Sequence, residues 1–154
     1  MSYAALENHH RRLYRLAHAE AMLGWDEATM MPEGGGEARA AALSTLRGMI
    51  HATATLPELE ALFSRAEDEA RAGGLSPWQL ANLREMNRTW VRERAVPQDL
   101  VEAASLAESR SEQAWRALRP QNDWEQFRPL LEQVVSLKRQ IAGALSDRLG
   151  LDPY

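Results

Sequence analysis

Apolar residues recur every three or four positions along almost the whole chain, and proline or glycine interrupts this repeat at intervals. A repeat near 3.6 residues is typical of amphipathic helices, whereas a half-buried strand alternates with a period of two. No segment of the sequence alternates for long enough to predict a strand. The repeat is clearest near the C-terminus, at Leu130, Val134, Leu137, Ile141, Leu145 and Leu149. The sequence therefore predicts an all-α fold.

Interruptions of the repeat near residues 32–36, 54–57, 73–76, 95–97 and 120–123 divide the chain into six predicted helices. The connections are short, and short connections favour antiparallel packing of neighbouring helices. A chain of 154 residues is also long enough to bury one core. We therefore expect residues 1–154 to form a single bundle-like lobe of about six antiparallel helices.

Two helix starts carry distinct sequence signals. Ser76, Pro77 and Gln79 stand where an N-cap, a first helical residue and the third residue of a capping box are expected. For the last helix, residues 122–127 predict a short capped turn, after which Pro129 is expected to open the helix. Gly150 is expected to end it.

Charge and composition exclude several classes of function. The net charge is −4, and the only lysine is Lys138, so nearly all the basic residues are arginines interleaved with glutamates. This mixture predicts a solvated surface without the basic excess on one face that nucleic-acid binding requires. There is no cysteine, no apolar run long enough for a membrane span and no signal-peptide pattern. We expect a cytoplasmic protein that binds neither nucleic acid nor membrane.

The stretch LGWDEATMMPEGGGEAR, residues 23–39, is the one segment that does not resemble an ordinary helix. Pro32 prevents continuation of the first helix, and the glycines after it permit a reversal into the second. We expect the side chains of Trp25, Met30 and Met31 to cover apolar surface beneath this turn. Asp26 and Thr29 are expected to form hydrogen bonds with its exposed backbone.

The residue types that support catalysis or metal binding are not arranged for either. His10 and His18 lie eight residues apart, whereas two helical ligands of one ion lie three or four apart. Asp26 and Glu27 are adjacent, so their side chains diverge and do not form a facing acid–base pair. The three glycines before Glu37 lack the Lys-Ser/Thr of a phosphate-binding loop. The sequence predicts no catalytic and no metal-binding residue in this chain.

The five tryptophans are spread over at least four of the predicted elements, at positions 25, 78, 90, 115 and 124. Burial in a core or a helix contact is the most common use of so large an aromatic side chain. We expect most of the five to be buried.

Four segments together resemble the carboxypeptidase Taq family of thermostable-type zinc metallocarboxypeptidases, over essentially all of the chain. They are MLGWDEATMMPEGGGEAR, LSPWQLANLREMNRTW, VPQDLVEAASLAESRSEQAWRALRPQNDWEQFRPLLEQVVSLKR and LGLDPY. The first is similar to a hallmark near the N-terminus of that family, and its signature residues here are Trp25, Asp26, Thr29, Met31 and Pro32. The resemblance implies a structural role for these five residues.

The resemblance implies the N-terminal region of a much longer enzyme that removes single residues from peptide C-termini. Members of the family carry an H-E-x-x-H helix, a further glutamate ligand, and His-Pro-Phe and Asp-x-Arg-x-Thr motifs, and none of these occurs here. By resemblance, zinc or another divalent metal and the peptide substrate belong to the intact enzyme, and this chain alone is expected to be inactive. The ending at Tyr154 is then expected to mark a truncated reading frame or a chosen boundary.

The resemblance also implies that the lobe forms a wall or lid of the substrate groove and contributes to a dimer. The last helix carries Leu131 and Val135 beside its main apolar stripe, so its apolar face is wider than one core contact requires. We expect a homo-oligomer that packs through residues 130–149. The alternative is a free-standing helical interaction module that descends from the enzyme and has a partner of its own.

Overall fold

The structure, a computed structural model, describes residues 2–153 except for the side chain of Glu33. It contains six α-helices: α1 (Ser2–Thr29), α2 (Gly36–Ala54), α3 (Glu58–Arg71), α4 (Pro77–Glu93), α5 (Gln98–Leu118) and α6 (Trp124–Leu149). Short 3-10 turns at Glu33–Gly35 and Arg119–Gln121 precede α2 and α6. No strand occurs in the described part of the chain, so the predicted all-α class and the five predicted breaks are confirmed.

Neighbouring helices run antiparallel, as cross-helix contacts show. Along α1 and α2, Arg39 bonds to the carbonyl oxygen of Leu23, and Arg47 bonds to Glu20. From the first contact to the second, the residue number rises along α2 and falls along α1, so the two helices run in opposite directions. The short connections predicted this arrangement.

Local signals in the sequence account for most helix ends. The Ser76 hydroxyl accepts a hydrogen bond from the Gln79 amide, and the Gln79 side chain accepts one from the Ser76 amide, which completes the capping box. Gly73 and Gly150 take φ values of 75° and 65° at the ends of α3 and α6. This left-handed backbone favours glycine, which has no Cβ to clash.

The predicted start of α6 is wrong by five residues. The helix begins at Trp124, and the carboxylate of Asp123 caps it by accepting a hydrogen bond from the Gln126 amide at 3.1 Å. Pro129 lies inside the helix, near its first turn. A proline there removes one backbone hydrogen bond and crowds the carbonyl of Glu125, and the helix nevertheless starts at the Asp123 cap.

The apolar core lies at one end of the lobe, between the N-terminal half of α1, α3 and α4. Its buried residues are Tyr3, Leu6, Leu59, Phe63, Ala66 and Leu83. The carboxylate of Glu69 accepts hydrogen bonds from the amides of Ser2 and Tyr3, and so fixes the first turn of α1 to α3. This end is the part of the lobe that is packed like a protein interior.

Helices α2 and α5 bury mostly small side chains. The small buried residues are Ala40, Gly48 and Ala54 of α2 and Ala104, Ser105, Ala107, Ser109 and Ser111 of α5. The Ser44 hydroxyl donates a hydrogen bond to the carbonyl oxygen of Glu102 at 3.0 Å. Small residues let the two backbones approach closely, so this pair of helices forms the middle of the lobe.

Helix α6 packs on α5 but contains no fully buried residue. Its predicted apolar stripe is only half-buried, and Val135 on its outer side is 40% exposed. The outer face of α6 therefore has no partner among the described residues.

The expectation that most tryptophans are buried is wrong. Trp25, Trp78, Trp115 and Trp124 are all exposed, and only Trp90 is half-buried against the core. The sequence pattern places an aromatic residue on a helix face, but the neighbouring helices determine whether anything covers that face. In this lobe several such faces are open.

Candidate functional site

The junction of α1 and α2 holds the five signature residues, and backbone hydrogen bonds close it. The carbonyl oxygen of Asp26 accepts from the amides of Met30 and Met31, both at 2.9 Å. Pro32 then adopts extended backbone (φ −66°, ψ 153°), and its carbonyl oxygen accepts from the Gly35 amide at 2.8 Å. The chain thus leaves α1 and enters α2 through a defined turn.

Side chains fix the junction differently from the sequence-based expectation. The Asp26 carboxylate does not bond to the turn; it pairs with the Arg39 guanidinium of α2 at 2.5 Å. The Thr29 hydroxyl donates to the carbonyl oxygen of Trp25 at 2.7 Å, one helical turn back. Arg39 also donates to the carbonyl oxygen of Leu23 at 2.9 Å, so a single arginine ties the end of α1 to α2.

The apolar residues of the junction are less covered than expected. Trp25 is 58% exposed and Met30 is 69% exposed, so the prediction that they cover surface beneath the turn is wrong. Met31 is half-buried and packs against Gly35, where an added Cβ would lie 2.8 Å from the Met31 Cγ. Pro32 is exposed. Only Met31 takes the covering role.

Glu27 is the buried charged residue of the junction, with 6% of its surface exposed. Its carboxylate accepts a hydrogen bond from the Ser109 hydroxyl and another from the Gln113 amide group at 3.4 Å. Its backbone carbonyl accepts from the Arg116 guanidinium at 2.7 Å. Three residues of α5 therefore hold the end of α1. The sequence interpretation missed this cluster. The only sequence signal for it is the spacing of Ser109, Gln113 and Arg116, which places the three side chains on one face of a helix.

An ion-pair network crosses four helices beside this cluster. Arg47 of α2 bonds to Glu20 of α1 at 2.5 Å and to Glu108 of α5 at 3.0 Å, and Lys138 of α6 also pairs with Glu108. Burial lowers the pKa of Arg47, but the hydrogen bonds and charges of Glu20 and Glu108 outweigh it and raise the pKa. The network holds α1, α2, α5 and α6 in one register.

Glu37 lies in the first turn of α2, directly after the three glycines that lack the motif of a phosphate-binding loop. It pairs with Arg110 of α5 at 2.5 Å, and this hydrogen bond together with the arginine charge lowers the pKa of the Glu37 carboxyl. A carboxylate is favourable at a helix N-terminus, since it faces the positive end of the dipole. Its role here is to anchor α2 to α5.

The donor atoms of the described residues do not fit a metal ion. No three histidine, aspartate or glutamate side chains between residues 2 and 153 converge as ligands. The rings of His9 and His10 lie against each other, His18 is exposed, and His51 bonds to Glu93 at 3.3 Å. A catalytic zinc takes three protein ligands and a water. What the geometry defines is a junction in which Arg39 and the Glu27 cluster fasten the end of α1 to α2 and α5.

Comparison with known proteins shows the family to which the chain belongs. The sequence profile of the carboxypeptidase Taq (M32) metallopeptidase family matches residues 5–154. The chain therefore belongs to this family, as its sequence motifs predicted.

Three relatives show the extent of the similarity. The chain is 31% identical over 156 residues to thermostable carboxypeptidase 1 of Thermus thermophilus, covering 99% of this chain and 31% of the relative. It is similar in structure to metallocarboxypeptidase 1 of Trypanosoma cruzi, with a TM-score of 0.76, 36% identity, and coverage of 99% of this chain and 30% of that one. It is also similar in structure to an M32 carboxypeptidase of Deinococcus radiodurans, with a TM-score of 0.72 and 30% identity. That match covers 95% of this chain and 29% of the other.

The chain thus spans less than a third of the length of these relatives. Among the helices of residues 2–153, none combines the length and the apolar character needed to span a bilayer.

Proposed function

We propose that this chain is the N-terminal helical lobe of a metal-dependent carboxypeptidase that removes single residues from peptide C-termini. The observation that carries the proposal is the family match over residues 5–154 in a chain that spans under a third of its relatives. The printed sequence has no H-E-x-x-H, so zinc or another divalent metal, together with its ligands, would belong to the rest of the enzyme. No step of the reaction is assigned to residues of this chain.

In the proposed enzyme the lobe forms a wall or lid of the substrate groove and takes part in a homodimer. The exposed aromatic and methionine side chains support this role, because these residue types are enriched at interaction surfaces. Trp25 and Met30 stand out at the junction, and Trp124 and Val135 stand out along α6. Arg39 and the Glu27 cluster fasten the end of α1 to α2 and α5, which gives such a wall a defined position.

Activity and metal content of the purified 154-residue chain test the assignment of chemistry. We expect no hydrolysis of a blocked dipeptide with a free C-terminus, with or without added divalent metal, and no stoichiometric metal after dialysis. One tightly held zinc per chain, with peptidase activity abolished by His10→Gln or His18→Gln, would overturn the proposal.

A free-standing helical interaction module is the second candidate, and the four exposed tryptophans favour it equally. The reading frame downstream of the Tyr154 codon separates the two. Continuation into H-E-x-x-H supports the enzyme lobe, whereas a stop codon there supports the module. The cytoplasmic location expected from the sequence stays a prediction in both cases.

A further inference from the structure

An aromatic pocket of about 180 Å³ lies between the end of α5 and the start of α6. Three aromatic side chains line it: Trp115 of α5, and Trp124 and Phe127 of α6. The rings of Trp124 and Phe127 lie 6.1 Å apart between their centroids. The amide of Asp123 donates to the carbonyl oxygen of Leu118 at 3.2 Å, so the turn fixes the two helix ends beside each other. The pocket therefore has aromatic walls on both helices.

Two walls of the aromatic pocket are exposed although they are large and apolar. Trp115 is 43% exposed and Trp124 is 55% exposed. Neither indole N–H donates a hydrogen bond to an acceptor within residues 2–153. Tryptophan is enriched among the residues that contribute most to binding, because one side chain offers a large apolar area together with a hydrogen-bond donor. Both properties are available here to a bound molecule.

The charges in the lining of the aromatic pocket cancel. Arg119 and Asp123 are its charged residues, and neither forms an ion pair within residues 2–153. The Arg119 guanidinium lies over the Trp115 ring, 5.1 Å from its centroid. The Asp123 carboxylate accepts hydrogen bonds from the backbone and the side chain of Gln126, at 3.1 and 2.8 Å, and so faces the start of α6. One positive and one negative charge favour an uncharged occupant.

The volume of the aromatic pocket fits one small ring, since an apolar cavity of about 150 Å³ holds a molecule of the size of benzene. A proline ring is small, apolar and uncharged. Proline-rich segments adopt the polyproline II helix, whose carbonyl groups form no internal hydrogen bonds and can accept from an indole N–H. Grooves lined by aromatic side chains recognise such segments repeatedly, because a segment that is extended before binding loses little entropy.

We infer that the aromatic pocket binds an uncharged, proline-rich segment of a partner protein in the polyproline II conformation. One proline ring of the segment packs against the rings of Trp115 and Trp124. An indole N–H of these walls donates to a backbone carbonyl oxygen of the segment. This binding depends on the pocket alone and not on the proposed enzyme.

Titration of the ¹⁵N-labelled chain with acetylated and amidated hexaproline tests the aromatic pocket, because each tryptophan gives its own indole N–H signal. We expect saturable shifts of the Trp115 and Trp124 signals and unchanged signals of Trp25 and Trp78, which are exposed elsewhere. A capped alanine–glycine peptide of equal length should bind about tenfold more weakly or worse, since it lacks the ring and is not extended before binding. Trp124 also borders the outer face of α6, so the protein is kept at a concentration at which it sediments as a monomer.

Tryptophan variants provide the matched comparison. Trp115→Leu and Trp124→Leu should each weaken hexaproline binding about tenfold or more. Trp78→Leu removes the same side chain from α4, outside the pocket, and should leave the affinity unchanged. All three positions are exposed, so the variants should fold, and far-UV circular dichroism checks that they do.

Three results would overturn the inference. The first is the absence of saturable indole shifts with hexaproline. The second is equal binding of hexaproline and the alanine–glycine peptide, or equal weakening by Trp115→Leu and Trp78→Leu. The third is a titration in which free indole shifts the Trp115 and Trp124 signals at concentrations at which hexaproline does not, since the pocket would then be a site for an aromatic ring.

Discussion

The side chain of Glu27 links the end of α1 to α5 through its carboxylate. At 6% exposure it depends on the Ser109 hydroxyl and the Gln113 amide group for its hydrogen bonds. A buried polar group that loses its partner keeps its desolvation cost but not the compensating bond. The junction should therefore be sensitive to the loss of this one side chain.

Glu27→Ala should lower the free energy of unfolding by about 1–3 kcal/mol, because it leaves the Ser109 hydroxyl buried without its acceptor. Glu7→Ala, on the same helix, removes an exposed pair with Arg11 and should cost no more than about 0.5 kcal/mol. Urea unfolding of both variants measures the difference. Equal effects would show that the Glu27 cluster contributes nothing specific.

Two histidines of α1 make stability depend on pH. Burial and the neighbouring His10 lower the pKa of His9 below its usual 6.5, and burial lowers the pKa of His10. The folded chain therefore takes up protons at lower pH than the unfolded chain. The stability that these two histidines contribute is fully present above about pH 6.5. It is lost as the pH decreases through their lowered pKa values.

Urea unfolding at pH 7 and pH 5 should show a smaller pH-dependent loss of stability in His9→Gln and His10→Gln than in the parent chain. Asn8, on the same helix, is exposed and has no titratable group, so Asn8→Gln should leave the parent's pH dependence unchanged. A pH-dependent loss in His9→Gln and His10→Gln as large as that of the parent chain would contradict the direction of these pKa shifts.

At the scale of helices, the close approach of α2 and α5 depends on Gly48. A Cβ added at this position would lie 2.1 Å from a carboxylate oxygen of Glu102 and 2.8 Å from its Cδ. Because these atoms are the end of a flexible side chain, a methyl group can displace them. A longer side chain would meet the body of α5.

Gly48→Ala should change the free energy of unfolding by less than about 1 kcal/mol, since the better helix propensity of alanine offsets the displacement of Glu102. Gly48→Leu should destabilise by about 1–3 kcal/mol through overpacking. Gly143→Leu on α6 is the control, because nothing lies within 4 Å of a Cβ there. Thermal unfolding compares the three. A Gly48→Leu variant as stable as the parent would show that α2 and α5 are not closely packed.

The helices themselves were predictable, because their ends depend on local chemistry. The Ser76 capping box and Gly150 act within one turn of the chain, so their residue types alone reveal them. The start of α6 was misjudged, since proline is a weaker signal than the Asp123 cap. Side-chain partners were not predictable: the Glu27 cluster joins residues 82 or more positions apart, and no local pattern encodes such pairs.

At the scale of the whole lobe, open apolar faces predict self-association. The outer face of α6 carries Trp124, Leu131 and Val135, which line a shallow groove with Arg128 and Arg139. We expect the isolated chain to form a homodimer through this face, since a two-fold interface pairs the same surface on both copies.

Sedimentation velocity over a tenfold concentration range should show concentration-dependent association of the parent chain. Val135→Asp should shift it to monomer, because a charge would be buried in the interface. Gln133→Asp places the same charge on α6 outside the groove and should leave association unchanged. A parent chain that is monomeric at every concentration would contradict this interface.

A chimeric enzyme, in which this chain replaces the matching segment of a related carboxypeptidase, tests most directly whether the chain is part of a metallocarboxypeptidase. In the chimera, this chain replaces the matching segment of thermostable carboxypeptidase 1 of Thermus thermophilus, to which it is 31% identical. Hydrolysis of a blocked dipeptide with divalent metal is compared with that of the same enzyme lacking the segment. We expect the chimera to be active and the deletion to be inactive. A chimera that is folded and binds metal, yet hydrolyses no peptide, would contradict the assignment of this lobe to the enzyme's groove.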